Sequence, residues 1–284
     1  HYSTEPMTHE QPDQLQGIQT AVVALLDEAG CRPDVVQAVC CSLSGWPAGL
    51  HEFLQQTFPR APIRFVEDRE AAYAGSLWKT PGVALVGGTG TVALGYDGQR
   101  WLAVGGWGYL FGDAGGGWGI SQRALIAAIA ASEKRGPDSL LPERLLTLFN
   151  MPSLRDLAWA VYEGRLMRRD IARATPLVFE LAEAGDAGAL SVIHEAAAEH
   201  TGLIDSLVTQ LDLVLPIPIG YTGGVLAKNP FLIGLIRSQL TERGITVDSW
   251  RPGSALAGSA LLALEAAGVS VTDSVMARIQ RLTS

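Results

Sequence analysis

Asp68 follows the apolar run Ile63–Val66 and precedes an alanine-rich stretch. Open α/β sheets bind ligands beyond the carboxyl ends of their strands, where a carboxylate can take a proton from an attacking hydroxyl. The same placement also suits an ordinary helix cap. A second carboxylate, Asp113, is embedded in Gly112-Asp113-Ala114-Gly115-Gly116-Gly117. There it is either a functional group or a turn aspartate bonded to its own backbone. Between two apolar runs lies Gly87-Gly88-Thr89-Gly90-Thr91, and Thr222-Gly223-Gly224 follows the late run Leu213–Ile219. Glycine turns at strand ends can aim amides and hydroxyls at a phosphate. Two such turns with a carboxylate suit phosphoryl transfer, in which amides hold phosphates and the carboxylate orients a hydroxyl.

The glycines are concentrated: 13 of the 32 fall within Gly87–Gly119. Linkers and collagen spread glycine differently, so this stretch asks the backbone to turn tightly and approach something closely. Other nucleotide motifs are absent. No G-x-x-x-x-G-K-[ST] or G-x-G-x-x-G occurs, which removes the Walker loop and the dinucleotide fingerprint. His194 and His200 stand six apart on a helical stretch, off the i, i+4 spacing of zinc ligands, and read as partly exposed histidines. No metal ligands are assigned.

These residues need elements to hold them. Leu15, Ile18, Val22, Leu25 and Leu26 recur at helical spacing, giving a helix over 14–29 stopped by Gly30. Val35–Leu43 reads as a strand, Leu50–Phe58 as a helix, Ile63–Val66 as a strand and Arg69–Trp78 as a helix. Val83–Val86 is a strand entering the first glycine turn, and Val92–Tyr96 with Trp101–Val104 is a hairpin around Asp97-Gly98. The pattern is then helical from Ile120 to Leu211, with breaks at Gly136-Pro137, Met151-Pro152 and Gly185. A strand Leu213–Ile219, a helix Pro230–Arg243, a strand Thr246–Trp250 and a helix Ala255–Ala267 close the chain. Alternating strands and helices predict an α/β fold. A boundary near Val92 would separate a front domain, 1–92, from a larger helix-rich domain, 93–284, whose last helix could return to the front.

The 284 residues carry 21 Lys and Arg against 29 Asp and Glu, a net charge of −8. That balance argues against nucleic acid, which needs clustered cations. No run of apolar residues is long enough to span a membrane, and the first 16 residues do not read as a signal peptide. Cys31, Cys40 and Cys41 fit neither a disulfide framework nor a metal pattern and are expected to be buried thiols in a reducing cytoplasm.

Val86-Gly87-Gly88-Thr89-Gly90-Thr91, then Gly105-Gly106-Trp107-Gly108, then Gly112-Asp113 and a glycine-rich step into a helix resemble N-acetylglucosamine kinases and the wider BadF/BadG/BcrA/BcrD ATPase family. Pro176-Leu177-Val178-Phe179 with Ala184-Gly185-Asp186 resembles that family's helical segment, and Thr222-Gly223-Gly224-Val225 its adenosine-site turn. The resemblance runs over about residues 15–268. It implies the two-domain actin/hexokinase-like, ribonuclease H-like fold, with a nucleotide between the domains. It also implies ATP and Mg²⁺, the metal coming with the nucleotide, and a cytoplasmic homodimer. Carried over, Asp68 is the base toward a sugar 6-hydroxyl, and Gly88, Thr89, Gly90, Gly223 and Gly224 are ATP-binding. Thr91, Gly106, Trp107 and Asp113 face the sugar.

Three departures accompany the likeness. The family's opening Asp-Gly-Gly-Gly-Thr-Lys-Thr type of phosphate turn has no counterpart, and His1-Tyr2-Ser3 resembles a later sugar-side loop. The front domain is therefore expected to lack its first strands here, with about 30–40 residues preceding His1 in the native protein. The family's Asp-Glu-Gly-Ser reads Asp113-Ala114-Gly115-Gly116. The iron–sulfur cysteines of one family branch are missing. The expected activity is ATP-dependent phosphorylation of an amino sugar, N-acetylglucosamine first. A non-catalytic sugar-binding module and a sugar-independent, partner-activating ATPase are the alternatives.

Overall fold

The computed structural model describes residues 12–283, so the loop expected at His1-Tyr2-Ser3 lies outside the described residues. Contacts divide the chain into two units. One holds the residues through Trp78 together with those from Gly253 onward, and the other is Lys79–Pro252. The division falls after Trp78 and not near Val92, because the segments flanking the first glycine turn are neighbours in one sheet.

In the first unit β1 (Val39–Ser42) and β2 (Ile63–Val66) pair in parallel. β1 is shorter than the apolar run suggested, because Pro33–Val35 forms a short 3₁₀ turn ahead of it. The helix Pro12–Glu28 turns Leu15, Ile18, Val22 and Leu26, spaced three or four apart, onto Leu50, Leu54 and Phe58. The helix Asp68–Ser76 packs on Ala255–Ala266 along a glycine contact. A Cβ on Gly258 would lie 1.7 Å from the Ala71 carbonyl oxygen, and one on Gly75 2.1 Å from that of Ser254. A closing helix, Asp273–Thr283, was not foreseen. The three cysteines are free and half-buried, not fully buried as expected. Partial burial still pushes the Cys40 thiol up to about 11.

The second unit is built on one five-stranded sheet of β3 (Gly82–Gly87), β4 (Thr91–Tyr96), β5 (Trp101–Gly105), β6 (Ile217–Thr222) and β7 (Val247–Pro252). Their order is β5-β4-β3-β6-β7, with β3–β4 and β4–β5 antiparallel and β3–β6 and β6–β7 parallel. Three antiparallel strands followed by two parallel ones is the expected ribonuclease H-like sheet. Asp97 closes the β4–β5 hairpin, accepting from the Gln99 and Arg100 amides at 2.7 and 2.6 Å. β6 begins at Ile217, four residues later than expected. Val214 is exposed and Pro216 has no amide to give a ladder, so the apolar run starts as loop. The shift carries the strand through Thr222, to the edge of the second glycine turn. The long helix Ala187–Gln210 lies on β3, β4 and β5, burying Ile193, Ala196, Ile204 and Leu207 with Val83, Leu85, Ala93 and Ile219. Among the described residues no helix is long and apolar enough to cross a membrane.

Candidate active site

Parallel pairing of β3 with β6 sets Val86 opposite Thr222, so both strands release their glycine turns at the same edge of the sheet. The turns touch: a Cβ on Gly223 would sit 2.4 Å from the Gly87 carbonyl oxygen, and Gly223 has φ 92°. No other residue satisfies both the space and the dihedral there. A third glycine segment joins them, since a Cβ on Gly116 would lie 2.5 Å from the Thr89 carbonyl oxygen.

The third segment opens the helix Gly117–Ser132, whose first amides would otherwise lack acceptors. The amide of Gly117 donates to the Gly88 carbonyl at 2.8 Å, and that of Trp118 to the Thr89 carbonyl at 3.1 Å. A trans peptide carries its C=O and N–H on opposite sides. With these carbonyls turned toward the helix, the amides of Thr89 and Gly90 point away from it, and neither donates to an acceptor among the described residues. The Thr91 hydroxyl, in a residue only 3% exposed, also has no hydrogen-bond partner among the described residues. Gly88 and Gly224 have open space where a side chain would stand. Leftover donors around side-chain-free backbone fit an anion with several acceptor oxygens, such as a nucleotide's phosphates.

Asp113 belongs to the same cluster. It is held at φ 63°, a left-handed conformation seldom adopted outside glycine, and its Oδ1 accepts from the Thr91 amide at 2.9 Å. The carboxylate lies flat on Gly90, where a Cβ would be 2.7 Å from it. It is thus no simple turn aspartate, because its partner is 22 residues away. Gly106, at φ 73°, donates to the Thr91 carbonyl at 3.0 Å, which brings the β5 end to the turn. Trp107 opens an exposed aromatic loop with Tyr109, Leu110 and Phe111. Tyr109 anchors that loop, edge-on to Trp118 at 6.0 Å and beneath the Arg168 guanidinium at 4.3 Å. Gly88, Thr89, Gly90, Thr91, Gly106, Asp113, Gly223 and Gly224 therefore converge within the second unit.

Asp68 belongs to the first unit, where it begins the helix Asp68–Ser76, one residue earlier than expected, with Glu67 in the cap position. Its Oδ1 accepts from the Arg69 amide at 2.8 Å and its Oδ2 from the Ser44 hydroxyl at 2.7 Å. The local amide contact is to the next residue, and Asp68 is the first helical residue and not the expected cap. The Ser44 contact is not local and fixes the carboxylate from the loop after β1. Ser44 escaped sequence reasoning because only the parallel register of β1 and β2 brings it to Asp68. His200 was misread: it is fully buried, not partly exposed, and its Nε2 lies 3.0 Å from the Gly115 carbonyl oxygen. Burial draws its pKa down to about 4.

Known proteins resemble this chain in sequence and in fold. The chain is 26% identical over 230 residues to the N-acetylmuramic acid/N-acetylglucosamine kinase of Clostridium acetobutylicum, covering 78% of this chain and 75% of that one. It is 31% identical over 176 residues to the N-acetyl-D-glucosamine kinase of Dictyostelium discoideum, covering 61% of this chain and 55% of that one. The structure of a candidate N-acetylglucosamine kinase from Porphyromonas gingivalis superposes with a TM-score of 0.67 at 21% identity, over 85% of this chain and 83% of that one. A ROK family glucokinase from Streptomyces griseus, solved with glucose and AMPPNP, gives 0.55 at 16% identity over 88% of each. Both likenesses show the actin/hexokinase-like α/β fold. Residues 2–263, which hold every glycine segment described above, match the BadF/BadG/BcrA/BcrD ATPase family, and the chain belongs to it.

Proposed function

We propose that the protein is an ATP-dependent kinase that phosphorylates the 6-hydroxyl of an amino sugar, N-acetylglucosamine first among them. The observation that carries this reading is the set of unspent donors at the touching glycine turns: the Thr89 and Gly90 amides and the Thr91 hydroxyl. In this reading the two amides hold the transferring phosphates, the Thr91 hydroxyl is left for the sugar, and Gly223 and Gly224 accommodate the rest of the nucleotide. Mg²⁺ would arrive with the nucleotide and neutralise phosphate charge. Asp113, Gly106, Trp107 and Thr91 face the sugar. Asp68, held by Ser44 and the Arg69 amide, accepts the hydroxyl proton. The sugar oxygen forms its bond to the γ-phosphorus as the bond to the β–γ bridging oxygen breaks, and ADP departs. The named relatives act on such sugars, which supports the choice of acceptor.

ADP release measured with N-acetylglucosamine, with glucosamine and with no sugar tests the reading. Release that requires N-acetylglucosamine is the expected result. Equal release without sugar would make the protein an ATPase, and no release with any acceptor would make it a binding module.

A further inference from the structure

His200 stands on the long helix behind the glycine segments and no step above uses it. Its ring is fully buried. A carbonyl oxygen only accepts, so the contact with Gly115 places the proton on Nε2. Nδ1 is then a bare acceptor, and it has no partner among the described residues. An orphaned buried nitrogen is destabilising, and an apolar ring of equal size would avoid that cost. Such a ring could not hold the Gly115 carbonyl.

The imidazole fills the space that Gly115 leaves and reaches van der Waals contact at Gly87, where Leu226 fills the space. A Cβ on Gly115 would lie 2.8 Å from Nε2, and one on Gly87 3.4 Å from Cε1. Gly87 ends β3 and starts the first turn, whereas Gly115 lies in the segment that grips that turn. The grip consists of three bonds already described: Thr91 amide to Asp113, Gly117 amide to Gly88, and Trp118 amide to Thr89. A single ring therefore backs both partners of the clamp. Burial keeps the ring neutral near pH 7, so the bond to Gly115 has one fixed polarity.

We propose that His200 is a positioning residue for the phosphate-holding turn, its Nε2–H bond to the Gly115 carbonyl fixing the segment that aims the Thr89 and Gly90 amides. The proposal rests on the reading of that turn as the phosphate site. His200→Phe keeps a ring and removes the donor, and His200→Gln replaces the donor with an amide of similar reach. In the full chain, His200→Phe should speed hydrogen exchange of the Thr91, Gly117 and Trp118 amides about tenfold, with mid-helix amides of Ala187–Gln210 unchanged. It should also raise KM for ATP about tenfold, and His200→Gln should recover both the exchange rates and KM. Unchanged exchange at the three amides in His200→Phe, or a Gln variant no better than Phe, overturns the proposal. Should His200→Phe not fold, Gly115→Ala, which pushes a methyl against Nε2, carries the same expectation. Absence of sugar-dependent turnover in the wild type would refute the kinase reading, and the exchange measurement would still decide the role of His200.

Discussion

Glycine makes two tight contacts in this protein, and they do different things. In the first unit Gly75, Gly253 and Gly258 let the helices Asp68–Ser76 and Ala255–Ala266 touch backbone to backbone. None of the three needs a left-handed dihedral, and the Gly258 amide is satisfied inside its helix by the Ser254 carbonyl. At the closest approach, Gly258 on the Ala71 carbonyl, the helix's own ladder takes up the glycine's donor. In the second unit Gly90, Gly116 and Gly223 allow equally close approach, but the helix Gly117–Ser132 takes up carbonyls and leaves the Thr89 and Gly90 amides unspent. Leftover hydrogen-bonding groups, more than glycine itself, distinguish a binding contact from a packing one.

The largest expected effect separates chemistry from packing within the first unit. Asp68→Asn should lower turnover about 10²–10⁴-fold with thermal unfolding nearly unchanged, and wild-type turnover in the variant would remove Asp68 from the reaction. Gly258→Ala should do the reverse. Its Cβ meets the Ala71 carbonyl, so denaturant unfolding should report a loss of about 3 kcal/mol, while KM for ATP in the folded protein stays at the wild-type value. A stable Gly258→Ala protein with a raised KM would erase the contrast between the two contacts.

The buried imidazole gives the second contact a pH signature of its own. His200 titrates near 4 when folded against its ordinary 6.5. As pH falls from 6.5 toward 4 the unfolded chain binds the proton and the folded one does not, so stability declines across that window and the decline ends near 4. The full effect is about 3 kcal/mol. Stability curves of wild type and His200→Gln compared from pH 7.5 to 4 should diverge by that amount, and parallel curves would show that the ring is not the titrating group. A smaller effect is expected at the turn itself. Gly90→Ala presses on the Asp113 carboxylate and should weaken ATP binding about 30-fold in kcat/KM, with a stability loss below that of Gly258→Ala.

Much of this site was legible in the residue order. Glycines clustered at the ends of apolar runs mark turns wherever they occur, and Asp68 after Val66 marks a strand end facing solvent. What stayed hidden depends on register and distance. Ser44 meets Asp68 across 24 residues and His200 meets Gly115 across 85, contacts that no local pattern encodes. The histidine spacing gave the wrong burial for His200, because the ring packs where Gly115 has no side chain. The late start of β6 had the same origin. Leu213–Ile219 is as apolar as a strand, but only Ile217 onward finds a partner in β3 and β7.

The account turns on whether the unspent amides receive the nucleotide. Titrating ADP into ¹⁵N-labelled protein and following backbone amide resonances tests this directly. The largest shifts are predicted at Thr89 and Gly90, with Gly75 and Gly258 unmoved. Saturable ADP binding that leaves Thr89 and Gly90 unshifted would contradict it.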